Sequence, residues 1–349
     1  MARERASRER EILCAAAPSL ANSAAEDELL RKEEHMETER PSPRYSSIDA
    51  WEPREILDAM IEGQFAAVAA VRAARPAMEA AALAVVRRLA RGGRIVYVGA
   101  GTSGRLAVQD GAELTPTFSW PQERLLLLMA GGDDALLKAV EGAEDEAERG
   151  AELMRRHAIG EADVVIAVAA SGTTPFTLAC LREAARHGAL TIGVANNRDA
   201  PLLAEAEHEI FLDTGSEAIA GSTRMKAGTA QRVALLMLSS LVMILQGRVY
   251  EGLMVDVQAS NKKLARRSER ILARLTGRES AEIDAALRRA GGSVKLAYLL
   301  LEGHGLGEAR AALEGSRGHL RRAVEALAGA PAAEERKKSG APEPGRSEF

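Results

Sequence analysis

Residues 92–118 read GGRIVYVGAGTSGRLAVQDGAELTPTF, and the reading of this stretch decides the fold. Arg94, Ile95, Val96, Tyr97 and Val98 form a short β-branched run bounded by glycines, the pattern of a strand buried in a parallel sheet. Gly99-Ala100-Gly101 then predicts a sharp turn, Thr102 and Ser103 supply two hydroxyls, and a helical pattern is expected from about Arg105. A strand that runs through a Gly/Ser/Thr loop into a helix N-terminus is an anion site. Unpaired backbone N–H groups and the helix dipole both point at it. Phosphate is the favoured ligand.

Gly99 to Gly104 also fits the G-x-G-x-x-G spacing of dinucleotide sites. That reading needs an acidic residue about 20 positions on, at the end of a second strand. Glu113 comes too early, beside Thr115-Pro116-Thr117, which reads as a turn, and the lysine of a Walker loop is missing. A hydroxyl-rich loop without either suits a phosphorylated small molecule held by Thr102, Ser103, Gly104 and main-chain amides. A tight turn with no ligand is the plain structural alternative.

A chain of 349 residues allows two modest domains, or one α/β domain with helical additions. Hydrophobic residues at 46% support a sizeable core, while aromatics at 3% argue against a base-stacking surface. The net charge is −4 and the basic residues are dispersed, so no nucleic-acid partner is expected. Cys14 and Cys180 give neither a disulfide framework nor a zinc spacing, and the six histidines never pair at i, i+3 or i, i+4. No metal is expected. No uncharged apolar run reaches the roughly 18 residues of a membrane span, and the N-terminus lacks the order of a signal peptide. The expectation is a cytoplasmic protein without membrane contact.

Five segments are expected: an Ala/Arg/Glu-rich flexible extension over 1–35, N-terminal helices over 36–91, an α/β domain over 92–260, a helical module over 261–330 and a disordered tail over 331–349. Pro76 divides the N-terminal helices. Within the α/β domain, strands are expected at 94–98, 124–129, 163–168, 190–194 and 209–212. Asp133-Asp134 caps a helix expected to continue through Leu136, Val140 and Glu144. The third strand ends in Ala169-Ala170-Ser171-Gly172-Thr173-Thr174-Pro175, a second hydroxyl loop that opens a helix at Phe176. Strands alternating with helices predict a parallel sheet whose ligands gather at the carboxyl ends of the strands. A long apolar helix over 231–245 reads as core or subunit interface.

With these residues in view, the chain resembles the N-acetylmuramic acid 6-phosphate etherases, a sugar isomerase (SIS) domain family related to glucokinase regulatory proteins. The blocks that carry the resemblance are GAGTSGRL at 99–106, GAELTPTF at 111–118, AVEGAED at 139–145, AASGTTPF at 169–176, GSTRMKAGTAQ at 221–231 and LMVDVQASNKKL at 253–264. The chain departs from the family pattern at Ser216, Thr173 and Arg232, where members more often have Pro or Ala, Arg and Lys.

The resemblance implies an SIS-type parallel sheet flanked by helices, with a small C-terminal helical module. It implies loss of D-lactate from C3 of the phosphorylated sugar by β-elimination through the open-chain aldehyde, then addition of water. It also implies a homodimer, because SIS sites commonly borrow residues across subunits, and no cofactor.

Such a reaction needs a base for the C2 proton, an acid for the departing ether oxygen and a distant phosphate anchor. Two carboxyl groups can fill both proton roles when their surroundings separate their pKa values. Glu113 and Glu144 match the family's catalytic positions, Glu113 as candidate acid and Glu144 as candidate base, and the sequence leaves their division of labour open. Ser171, Gly172 and Thr174 join Thr102, Ser103 and Gly104 as phosphate ligands, against ordinary N-capping. Glu217, Arg224 and Lys226 complete the candidate sugar-binding set. Two other functions compete: a non-catalytic sugar-phosphate-sensing regulator and an aldose–ketose sugar-phosphate isomerase.

Overall fold

The computed structural model describes residues 36–257 and 262–329. The expected extension over 1–35, the tail and Cys14 lie outside the described residues. Five parallel strands make the central sheet: β1 (Ile95–Gly99), β2 (Leu125–Met129), β3 (Val164–Val168), β4 (Leu190–Ala195) and β5 (His208–Phe211). Their order is β2-β1-β3-β4-β5. β1 pairs on both sides, Gly99 opposite Met129 in β2 and opposite Val168 in β3.

Helices cover both faces, so β1, β3 and β4 are buried along their whole length. This is why their sequences are continuous apolar runs. Ile95, Tyr97, Ile166 and Ile192 face a core shared with α1 (Pro53–Ala73), α2 (Arg75–Leu89) and the long helix α8 (Lys226–Leu245). Val96, Val98 and Val165 face the opposite core, with Met154 of α5 (Ala147–Arg156) and Phe176 and Cys180 of α6 (Pro175–Arg186). Burial raises the Cys180 thiol's pKa, which makes it an inert packing group.

Between β1 and β2 lie α3 (Gly101–Ala112) and the short α4 (Leu114–Phe118). α3 lies hard against β1. A Cβ on Gly104 would come within 2.8 Å of the Gly99 backbone, and one on Gly111 within 2.3 Å of the Leu127 side chain. The third glycine of the G-x-G-x-x-G pattern therefore serves helix–strand contact. α3 is also pinned by buried Asp110, which accepts from the Tyr97 hydroxyl at 2.8 Å and Ser239 Oγ at 3.3 Å and pairs with Arg232 at 3.4 Å. Arg232, the departure from the family's lysine, thus ties α8 to α3.

After α7 (Pro201–Ala204), β5 and α8 comes a two-strand hairpin, β6 (Val249–Tyr250) and β7 (Leu253–Met254). Five further helices follow: α9 (Lys262–Thr276), α10 (Ser280–Arg289), α11 (Val294–Leu301), α12 (Leu306–Gly315) and α13 (Leu320–Leu327). They enclose a core of their own, built on Leu272, Ile283, Leu299 and Leu320. α8 is long and apolar enough to cross a membrane by length and composition, but half of that window is buried inside this fold. It packs on α1, α2 and α3.

Three expectations are corrected. The helix after β1 starts at Gly101, not near Arg105, so Thr102, Ser103 and Gly104 are its first turn. Residues 115–117 are helical, because Pro116 falls in the first turn of α4, where its missing N–H costs nothing. The helix expected from Asp133 through Glu144 is two 3₁₀ turns, Asp133–Leu136 and Ala143–Asp145. Gly142, at φ 73°, takes a left-handed conformation that a continuous helix excludes.

One ion pair holds the amino ends of β1 and β3 in register. Asp163 accepts from the Arg94 backbone N–H at 2.9 Å, from its guanidinium at 2.7 and 3.1 Å, and from Gly160 N–H at 3.1 Å. Burial alone would raise the Asp163 pKa, but these bonds and the Arg94 charge bring it below its ordinary value of 3.8. A carboxyl depressed in the folded state stabilises fully above its unfolded pKa and loses that contribution as pH falls through the folded value. Asp163→Asn is expected to cost about 3 kcal/mol at neutral pH, measured by urea unfolding. The gap to the parent should narrow below pH 3.8, and a gap independent of acid would refute the pairing as its cause.

Candidate active site

In the order β2-β1-β3-β4-β5 the chain leaves β1 toward one edge and returns to β3 on the other side of β1. The loops that follow β1 and β3 therefore diverge, and the crevice between them lies at the carboxyl ends of the strands. A cavity of about 790 Å³ occupies this crevice. Thr102 and Ser103 line it from the first turn of α3, and Ser171 and Thr174 from the loop ahead of α6. Neither helix has a side-chain N-cap. Their free N–H groups and positive dipole ends converge on one space, as an anion requires. Ser171 Oγ accepts the Thr173 N–H at 3.2 Å, which leaves its own O–H to donate.

Glu144 lines the same cavity from the Ala143–Asp145 turn. Glu144 is exposed on this turn rather than on the helix expected to run through it. Gly104 and Gly172, also expected to bind substrate, are not among the residues that line the cavity. Gly172 has φ 70°, and a Cβ there would come within 2.4 Å of the Ala200 side chain.

The remaining candidates lie elsewhere. Glu217, 1% exposed, caps α8 by accepting the N–H groups of Lys226 at 3.2 Å and Ala227 at 2.8 Å. Burial raises its pKa against the effect of those two bonds. Lys226 is buried, its pKa lowered first by desolvation. Arg224 is exposed on the segment whose Thr223 reaches the cavity. Glu113 is exposed at the C-terminal end of α3. At 1.5 Å per residue, that is about 18 Å along the helix from Gly101. The sequence reading set Glu113 beside the phosphate loop, whereas α3 carries it to the opposite edge of the sheet.

The structure adds a wall that sequence reasoning missed. Met36, Glu39 and Pro41 line the cavity from the segment that precedes α1. That segment is held by Asn197, which donates to Thr38 Oγ1 and to the Ala170 carbonyl, both at 3.0 Å, and by Gly221 N–H on the Thr38 carbonyl at 3.0 Å. Glu39 thus joins Glu144 and Asp145 as a third carboxylate in the crevice. Its only signal in the sequence was an acidic residue just ahead of Pro41.

Residues 78–185 match the glucokinase regulatory protein N-terminal SIS domain, and residues 137–241 match the SIS domain. An N-acetylmuramic acid 6-phosphate etherase from Deinococcus radiodurans is 51% identical over 288 residues, covering 82% of this chain and 94% of that protein. The chain belongs to the N-acetylmuramic acid 6-phosphate etherases. Relatives in this family from Streptomyces avermitilis and Halalkalibacterium halodurans are 45% and 40% identical, each covering 84% of this chain and 94% and 98% of their own length. Among solved structures, a phosphoheptose isomerase from Francisella tularensis aligns at 19% identity with a TM-score of 0.43, covering 56% of this chain and all of that one.

Ser171→Ala in this etherase-family chain is expected to weaken inorganic phosphate binding about tenfold, the loss of one hydrogen bond to a charged group. Calorimetry reads the effect. Unchanged affinity would remove Ser171 from the anion site.

Proposed function

We propose that this chain acts as a carbon–oxygen lyase on N-acetylmuramic acid 6-phosphate, releasing D-lactate and leaving N-acetylglucosamine 6-phosphate. The observation that carries the reading is family membership at 51% identity over 288 residues, joined to a cavity with hydroxyls and helix N-termini at one end and carboxylates at its rim. In this reading, Thr102, Ser103, Ser171 and Thr174, with the first-turn amides of α3 and α6, hold the phosphate, while the Gly104 N–H is taken by the Ala100 carbonyl at 2.9 Å. The sugar opens to its aldehyde, which makes the C2 proton acidic. A carboxylate takes that proton, the C3–O bond breaks as the lactate oxygen gains a proton, and water adds at C3 of the double bond.

We assign removal of the C2 proton to Glu144, which shares the crevice with the phosphate ligands. Glu113 protonates the leaving oxygen and later activates water. It does so from a second copy of the chain, because about 18 Å of helix separates it from the cavity of its own chain. Exposed apolar side chains support a homodimer: Leu57, Ile61 and Phe65 on α1 and Leu236, Met237 and Ile244 on α8. Arg224 is free to meet the lactyl carboxylate, while Glu217 and Lys226 shape the start of α8. A cytoplasmic location fits a phosphorylated sugar substrate, and the proposed segments begin at 36, 92, 261 and 331.

Glu113→Gln and Glu144→Gln are each expected to lower lactate release by about 10³-fold, as for a lost general acid or base. Mixed after dissociation, the two inactive variants should regain about a quarter of parental turnover, because half of the dimers then carry one intact site. Absence of complementation would place both glutamates in one chain or exclude one of them. Ketose formation without lactate would favour the isomerase reading, and binding without turnover the sensor.

A further inference from the structure

A second cavity, of about 800 Å³, lies between the C-terminal helices and the amino-terminal edge of the sheet. Gly92 and Arg124, which precede β1 and β2, belong to its lining. It is therefore separated from the candidate active site by the length of the strands, roughly 16 Å. Six cationic side chains line it against two carboxylates, Asp256 and Glu314, in a chain whose net charge is −4.

Half of these cations form a built floor. The guanidiniums of Arg124 and Arg248 lie over the Trp120 ring at 4.7 and 5.0 Å, and its indole N–H donates to the Arg124 carbonyl at 2.9 Å. Arg248 donates to the Phe118 carbonyl at 2.7 Å and pairs with Asp256 at 3.1 Å. Lys295 pairs with the same Asp256 at 2.9 Å and donates to the Gly318 carbonyl at 2.7 Å. One carboxylate thus serves buried Lys295 and half-buried Arg248, whose Nε atom is buried with no acceptor among the described residues.

The other three, Arg310, Arg317 and Arg322, stand exposed around the mouth. The cations face one another. Burial first, then a like-charged neighbour acting against Asp256, lowers the pKa of Arg248 and of Lys295. His319, also in the lining, is lowered by burial and then by Arg322 and Lys295. Held together in this way, like charges cost free energy that a multivalent anion would recover.

We propose that this cavity is a second binding site, for a small multiply charged oxyanion of the phosphate class. The floor of Arg124, Arg248 and Lys295 orients the ligand, and the arginines of α12, its following loop and α13 close over it. Because the cavity joins the α/β layer to the C-terminal helices, occupancy ties the two together. Val86, Leu89, Leu245, Leu296 and Leu313 supply its apolar walls, and no Phe, Tyr or Trp lines it, the His319 imidazole being its one aromatic ring. The recognised group is the charged oxyanion itself.

The test uses the full chain with pyrophosphate as probe at constant ionic strength, read by calorimetry and by the thermal midpoint. The parent and Ser171→Ala should bind pyrophosphate at this site equally, with the same rise in midpoint. Arg317→Gln/Arg322→Gln should bind at least tenfold more weakly while keeping the parental midpoint without ligand and parental lactate release. Arg310→Gln, on a different helix, should weaken binding as well. No binding by the parent, equal binding by all variants, or a loss confined to Ser171→Ala would overturn the proposal.

Discussion

The geometry of this molecule depends on one constraint: two helices must start at the same place, on either side of a break in strand order. The chain crosses from β1 to β2 on one side of β1 and from β2 back to β3 on the other. The crevice is the consequence of that divergence, and no side chain has to be spent on opening it. The N-termini of α3 and α6 bring free N–H groups and positive dipole ends to it. α8, the third helix that starts nearby, is closed by the Glu217 carboxylate and keeps its N-terminus to itself.

Close approach makes the constraint rigid. Gly99 and Gly104 let α3 lie against β1 at backbone distance, and Asp110 locks the helix to Tyr97, Ser239 and Arg232. Opposite this wall, Asn196 and Asn197 act as a polar hinge-pin. Asn196 donates to the Leu212 carbonyl and accepts from Gln231, while Asn197 reaches across to Thr38 and Ala170. With the amide groups of both asparagines hydrogen-bonded, this pair specifies one arrangement of the chain. Here that arrangement brings residues 36–41 over the cavity, with Glu39 among them.

The two ends of the sheet carry opposite electrostatic problems. At the carboxyl ends, helix dipoles and hydroxyls attract an anion while Glu39, Glu144 and Asp145 crowd the rim, a combination suited to holding phosphate at one end of a sugar and moving protons at the other. At the amino ends, arginine and lysine are gathered around Trp120 and Asp256, where the C-terminal helices dock. The first arrangement comes from backbone, the second from side chains contributed by residues as distant as Arg124 and Arg322.

What the sequence determined by itself is local and periodic. The strand at 94–98, the hydroxyl loops at 102–103 and 171–174, the helix break near Pro76 and the glycine-punctuated C-terminal helices are all legible, because burial on both faces and turn chemistry leave their marks within a few residues. The motif blocks also carried the family. Tertiary structure alone decided which of these residues meet. Glu144 faces the cavity because Gly142 breaks a helix that the charge pattern suggested, Glu113 is carried away from it by three turns of α3, and Glu39 enters it through a hydrogen bond to a residue 159 positions further on, between Thr38 and Asn197. Spacing along a chain encodes which face of an element a side chain takes. Which elements then close around a common space depends on crossovers and long-range polar contacts that no short window of sequence contains.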